Sequence, residues 1–242
     1  MPEHQQSRAA SEARYLLVGA GGLGGPIAYA LAAGGARALT ICDSDTVELS
    51  NLQRQIQFTT GDLGAPKATA LAAELARRGY PPERVRAVQD AFTLARAPEL
   101  AAGSDVLIDG SDNLETKFAV NDAAAALGRP CVIAGVVRYT GQVLAVWPGE
   151  TGCYRCLFEA PPDEEPASCA QAGVLGAAAA IIAGAAARAA LGLGRGDRSA
   201  AGALEVYDDI RVPAAPRRVR YNRREGCPAC RRAAAGAVEE RL

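Results

Sequence analysis

The sequence predicts an α/β fold: a Rossmann-like, mostly parallel sheet continued by antiparallel strands, with a structural four-cysteine zinc site. Three observations predict it. Strand-like and helix-like segments alternate through the first half, the pattern of parallel strands joined by crossover helices. The first strand-to-helix turn carries G-x-G-x-x-G at Gly19, Gly21 and Gly24. Two C-x-x-C pairs, CYRC at 153–156 and CPAC at 227–230, stand far apart in the second half.

The elements follow in order. YLLVG, 15–19, reads as a strand. A helix is expected over 24–33, with Pro26 in its first turn and Gly34–Gly35 past its end, where each residue type belongs. ALTICD, 38–43, is the next strand and completes a βαβ unit. A helix over 66–78 starts at Pro66 and stops at Gly79. Strands are expected at 84–89 and 104–110, a helix at 113–127, and strands at 130–137 and 141–147. EAPPDEEPAS, 159–168, is acidic and proline-rich, a composition that cannot pack, so 157–169 reads as a mobile crossover loop. AGVLGAAAAIIAGAAA, 172–187, reads as a buried helix, short of the roughly 20 strongly apolar residues of a membrane span. The runs 193–202 and 211–226 are expected as loop or edge material. The chain then divides into a tail, 1–14, and one domain, 15–242. That domain has a nucleotide-binding half to residue 150 and a zinc-tied half from 151.

The 242 residues, 49% of them apolar, can bury a sizeable core. A net charge of −1 gives no global reason to bind nucleic acid or an anionic membrane. Arg211, Arg217, Arg218, Arg220, Arg223 and Arg224 do cluster, as a solvated basic face or a dock for an acidic partner. The first residues are polar and lack the apolar run of a secretion signal. Seven cysteines in such a chain point to reducing cytoplasm rather than to a disulfide framework.

The glycine turn permits close backbone approach and aims a helix N-terminus at an anionic phosphate. It speaks for a nucleotide without saying which. Asp43 ends the second strand, where a carboxylate can accept both ribose hydroxyls; a turn cap is the alternative. Lys67 falls in the first turn of its helix, where the dipole opposes a cation by about 0.3–1 kcal/mol unless an anion is near. Arg54 closes the run Ser50-Asn51-Leu52-Gln53-Arg54, and its planar fork suits phosphate oxygens. Read alone, each is more often an ordinary surface charge. Asp112, beside Asn113, either holds Mg2+ together with phosphates or caps the helix that follows. Cys153, Cys156, Cys227 and Cys230 supply the four thiolates of a closed tetrahedral zinc site, structural rather than catalytic; redox dithiols are the alternative. Cys169 is an accessible nucleophile or a small buried hydrophobe, and Cys42 and Cys131 read as core. The single histidine, His4, lies in the tail, which argues against Ser–His or Cys–His catalysis.

GAGGLG, DSDTVELSNLQRQ, GAPK, DGSDN, CYRC, SCAQAGV and CPAC occur in that order. Together they resemble the bacterial MoeB/ThiF/HesA adenylyltransferases, relatives of the ubiquitin-activating enzymes, from about residue 15 to 232. The resemblance implies an enzyme that uses ATP and Mg2+ to adenylate the C-terminal glycine carboxylate of a small ubiquitin-like sulfur-carrier protein ending in Gly-Gly. Pyrophosphate leaves, and the acyl adenylate goes on to thiocarboxylate formation or sulfur transfer. It further implies that Gly22 and Asp43 contact adenosine and ribose, and that Ser50, Asn51 and Arg54, with Leu52 and Gln53 between them, line the phosphates. Lys67 balances charge near the α-phosphate. Asp112 holds Mg2+ with Asn113 beside the nucleotide, the four paired cysteines bind zinc, and Cys169 is sulfur-bearing or acyl-accepting. A homodimer and a sulfur donor on another protein are implied as well. Many members carry an Arg-rich motif, roughly RYxRQ, ahead of the glycine turn; here Arg8 and Arg14 are the arginines in that stretch.

Joining a carboxylate to a triphosphate brings anions together and needs no general base, so cations and positioning carry the chemistry. Two other classes share some of these features. A nicotinamide-dependent dehydrogenase would use the same glycine turn but gives no joint role to Arg54 and Lys67. A non-catalytic, zinc-stabilised module would bind a carrier and release no pyrophosphate.

Overall fold

A computed structural model describes residues 12–161 and 173–231. Its strands are β1 (Arg14–Val18), β2 (Ala38–Cys42), β3 (Val85–Val88), β4 (Val106–Asp109), β5 (Cys131–Val137), β6 (Thr140–Val146), β7 (Ala203–Tyr207) and β8 (Arg217–Arg220). The helices are α1 (Gly24–Ala33), α2 (Lys67–Arg77), α3 (Ala97–Leu100), α4 (Leu114–Ala126), α5 (Tyr154–Phe158) and α6 (Gly176–Gly194). One sheet runs in the order β3-β2-β1-β4-β5-β6-β7-β8. The pairs among β1 to β5 are parallel, and β5 to β8 pair antiparallel. This is the mixed sheet expected from the sequence.

Alternate side chains of β1 serve two cores, as the period of a strand requires. Tyr15 and Leu17 face a layer built by α1, α2 and α6, with Ile27, Leu31, Leu71 and Ile182. Leu16 and Val18 face the other layer, with Leu107, Phe118 and Leu100, and with Cys42 and Cys131 from the strands. The glycine-turn helix and the paired cysteines therefore lie on opposite faces of the sheet.

Several boundaries differ from expectation. The helix expected at 172–187 is α6, which runs to Gly194, so the expected loop 193–202 begins two residues later. The helix continues over Gly194 because this position answers a packing demand. A Cβ on Gly194 would lie 2.3 Å from the Tyr15 hydroxyl oxygen. Among the described residues α6 is the one helix long and apolar enough to cross a bilayer. It packs on α1, β4, β5 and β6 through Ala178, Ala179, Ile182 and Ala183. β7 was not expected, and β8 is the edge strand within 211–226. The expected start of the crossover loop, 157, belongs to α5; residues 162–169 of that loop, Cys169 included, lie outside the described residues.

Candidate active site

From β1 the chain builds leftward to β2 and β3, then crosses to β4 and β5 on the other side. That reversal opens a crevice at the carboxyl ends of β1 and β4, where ligands of open α/β sheets bind. The glycine turn sits in it. Gly19 has φ +92°, and a Cβ there would lie 2.9 Å from the Gly110 carbonyl carbon and the Ser111 nitrogen. A Cβ on Gly24 would lie 1.9 Å from the Gly19 oxygen. Packing demands these two glycines. Gly21 and Gly22 answer to something else, since a Cβ on either would meet nothing closer than 3.5 Å. They keep the N-terminus of α1, which has no side-chain cap, open.

Asp43 holds this turn. Its Oδ2 accepts the Ala20 N–H at 2.6 Å and its Oδ1 accepts the Asp45 N–H at 2.8 Å. Burial pushes the Asp43 carboxyl above the usual range, against those two hydrogen bonds. Sequence reasoning missed two glutamines behind the turn. Gln57 donates to the Ala20 and Gly21 carbonyls, and Gln55 places its Nε2 3.5 Å from where a Gly21 Cβ would be. Both side chains are almost fully buried.

Lys67 stands at the first turn of α2, 7% exposed. Its Nζ donates to Asp45 Oδ2 at 2.8 Å, and its backbone N–H to the Asp45 carbonyl at 2.9 Å. The anion that offsets the unfavourable helix dipole is therefore Asp45, which sequence reasoning also missed although it lies in the same DSD run as Asp43. Arg54 bonds back to the Ser50 carbonyl at 3.2 Å through Nη1. Glu48 and Asn51 form a capping box around Leu49–Asn51, and Ser50 donates to Glu48, which fixes the loop that carries Arg54. Leu52 turns its side chain into the core and Gln53 is exposed.

On the β4 side, Asp109 is fully buried and takes Lys117 Nζ at 2.7 Å and Ser111 Oγ at 2.6 Å. Lys117 also donates to the Ser111 and Ala134 carbonyls, both at 2.7 Å. This network holds the loop 110–113. Asn113, not Asp112, caps α4, accepting the Thr116 N–H at 2.9 Å. Asp112 is exposed at the crevice mouth with no described hydrogen bond or ion pair.

The four paired cysteines meet on the far face of the sheet. Their Sγ atoms lie within 4.8 Å of one another, with 3.9 Å for Cys153–Cys156 and 3.6 Å for Cys153–Cys227 and Cys156–Cys230. Tetrahedral zinc–thiolate bonds of about 2.3 Å set an edge of about 3.8 Å, so the cluster fits such an ion. Asn121 and Asp122 of α4 anchor it, through the Tyr154 N–H and through Arg155. Arg14, at the other end of β1 from the glycine turn, is held by Asp105; Arg8 lies outside the described residues.

An open α/β sheet with a glycine turn at its switch point, a carboxylate at the end of β2 and a sheltered lysine beside it defines an α/β protein of the Rossmann-like class. The chain belongs to the ThiF family, which residues 1–229 match. It is 38% identical over 239 residues to the sulfur carrier protein adenylyltransferase of Thermus thermophilus, covering 95% of this chain and 85% of that one. It is 36% identical over 221 residues to the sulfur carrier protein ThiS adenylyltransferase of Escherichia coli, covering 90% and 86%. The fold is that of E. coli MccB in complex with MccA-N7isoASN, with a TM-score of 0.75, 20% identity, and coverage of 91% and 67%.

Proposed function

We propose that this chain adenylates the C-terminal glycine carboxylate of a small ubiquitin-like sulfur-carrier protein. The observation that supports the reading is that Asp43 and Arg54 lie against the glycine turn, Lys67 acts on the Asp43 carboxyl, and Asp112, without a partner among the described residues, follows Ser111, which packs on Gly19. Asp43 would take the ribose hydroxyls, and the open turn at Gly21 and Gly22 the phosphates. The carrier's carboxylate oxygen attacks the α-phosphorus of ATP, and the bond to the bridging oxygen breaks. Pyrophosphate leaves with the electron pair, and no proton moves. Lys67 and Arg54 act on the negative charge that builds on the phosphate oxygens. Asp112, exposed and free of described partners, fits as a Mg2+ ligand; bound there, the ion would neutralise phosphate charge.

Carrier-dependent exchange of labelled pyrophosphate into ATP tests the reading. Arg54→Ala and Asp112→Ala should each lose most of that exchange while keeping the parent's melting temperature. Exchange at parental rates in both variants sinks the site assignment. Carrier binding without exchange would favour a non-catalytic module, and preferential binding of a nicotinamide dinucleotide a dehydrogenase.

We further propose that the four-cysteine cluster holds one structural Zn2+. Burial and the neighbouring thiols push the Cys153 thiol up, and a divalent cation reverses that balance. One zinc per chain by elemental analysis is expected, and chelation should expose the segment around Cys227 to protease before the rest unfolds. We also place in this reading a homodimer, a sulfur donor on another protein and the reducing cytoplasm. The outer side of α6, with Ile181 45% exposed and Gly184 open, supports the dimer; light scattering tests it. If Cys169 carries the acyl group or sulfur, Cys169→Ser should keep pyrophosphate exchange and lose sulfur transfer.

A further inference from the structure

Gln57 lies behind the glycine turn and is 2% exposed. Its Nε2 donates to the Ala20 carbonyl at 2.8 Å and to the Gly21 carbonyl at 2.9 Å. Its Oε1 is buried with no partner among the described residues. The amide occupies a slot that exists because residue 25 is glycine: a Cβ there would lie 2.3 Å from Gln57 Cδ and Oε1.

As a space-filler this side chain is a poor choice. Leucine or methionine would occupy similar volume without stranding an acceptor. Neither can donate to two successive carbonyls. In a trans peptide the carbonyl and the N–H point in opposite directions. The Ala20 carbonyl shares its plane with the Gly21 N–H, and the Gly21 carbonyl shares its plane with the Gly22 N–H. Drawing both oxygens inward turns both N–H groups outward, into the crevice. The same Gly21 oxygen accepts the Gly25 N–H at 3.0 Å, and Asp43 holds the Ala20 N–H from the other side. The turn is thus gripped at consecutive peptide planes, and no bond in the grip involves the side of Gly21 and Gly22 that faces the open space.

We propose that Gln57 is a positioning residue for the nucleotide, aiming the Gly21 and Gly22 N–H groups at its phosphate oxygens. The proposal rests on the nucleotide reading above and adds the group that shapes the cradle. Gln57→Leu and Gln57→Met remove both donors and also the orphaned acceptor. The α,β-methylene analogue of ATP, titrated by calorimetry into the full chain, should bind roughly five- to tenfold more weakly to both variants. The KM for ATP should rise by a similar factor while kcat at saturating ATP changes less than about twofold, the signature of lost uniform binding. The melting temperature should shift by only a few degrees, because stranding the Ala20 carbonyl is partly offset by removal of the orphaned Oε1. Parental affinity in either variant overturns the proposal. So does a failure of both variants to fold, because Gln57 would then be core. An unmodified chain that binds no ATP analogue would sink the nucleotide reading first and this inference with it.

Discussion

Two aspartate–lysine pairs flank the glycine turn, and they differ in how they are closed. On the β4 side Lys117 spends its three N–H donors on Asp109, the Ser111 carbonyl and the Ala134 carbonyl. Its side chain is 7% exposed and that of Asp109 is 0%. On the β2 side the Lys67 side chain is similarly sheltered at 8%, but its partner Asp45 is 65% exposed, and no second acceptor is described. A lysine has three donors, so Lys67 keeps two for a ligand while Lys117 keeps none. The same residue types, one pair at the end of β4 and the other in the loop after β2, thus make a structural brace in one place and leave a cation with spare donors in the other.

The largest expected effect separates the two roles. Lys117→Met leaves Asp109 buried beside only Ser111, where burial already pushes its carboxyl up against the pull of Lys117. Breaking such a pair from one side should cost about 3–5 kcal/mol of stability, and adding Asp109→Asn should recover part of it. Denaturant melts measure both. A Lys117→Met chain as stable as the parent would erase the distinction.

Lys67→Ala is expected to do the reverse. Its pair with a largely exposed carboxylate contributes at most about 1 kcal/mol to folding, so the melt should barely move. Pyrophosphate exchange should fall about 10²–10³-fold, the usual range for a lost transition-state donor. If instead Lys67→Ala lowers the melt substantially while the folded protein keeps its specific activity, both lysines are braces.

The sequence made one of these roles far easier to read than the other. Lys67 stood out because a cation in a first helical turn needs a reason, and the glycine turn, Asp43 and the C-x-x-C pairs carry their chemistry in short spacings. Asp109 and Lys117 looked like the end of a strand and a charged helix residue; only the sheet order, which sets β5 beside β4, brings the Ala134 carbonyl to the ammonium. Asp45 and Gln57 were hidden for a similar reason, since their partners are set by the loop between β2 and α2. Fold errors followed the same logic. Gly194 lets α6 run on against Tyr15 into a stretch whose composition reads as loop, and β7 is a strand because β6 offers it an edge. In the S-D-N run the helix cap expected of Asp112 falls to Asn113 instead.

The smallest expected effect concerns acid, and it sharpens the contrast between groups that hold the fold and groups that face the crevice. Burial raises the Asp43 carboxyl. Burial also raises Glu74 and Asp105, but hydrogen bonds from Arg78 and Arg77, and from Arg14, outweigh it and leave both below the usual range. For the two depressed groups, stability is present above their unfolded pKa and is lost only as pH falls through their folded values, below about 4. For Asp43 the sign reverses. Its protonated form is favoured in the folded chain, so titrating it from neutral pH downward does not weaken folding, and it happens first. As Asp43 protonates it loses acceptor capacity toward the Ala20 N–H and toward any ribose hydroxyl placed there. As pH falls from neutral toward the carboxylate range, then, and before the depressed groups titrate, the parent should lose nucleotide affinity more steeply than Asp43→Asn, while the far-ultraviolet circular dichroism of both stays native. The comparison with Asp43→Asn removes the titration of ATP itself. Parallel slopes for the two proteins would mean that Asp43 is a brace of the turn and no part of the nucleotide's binding.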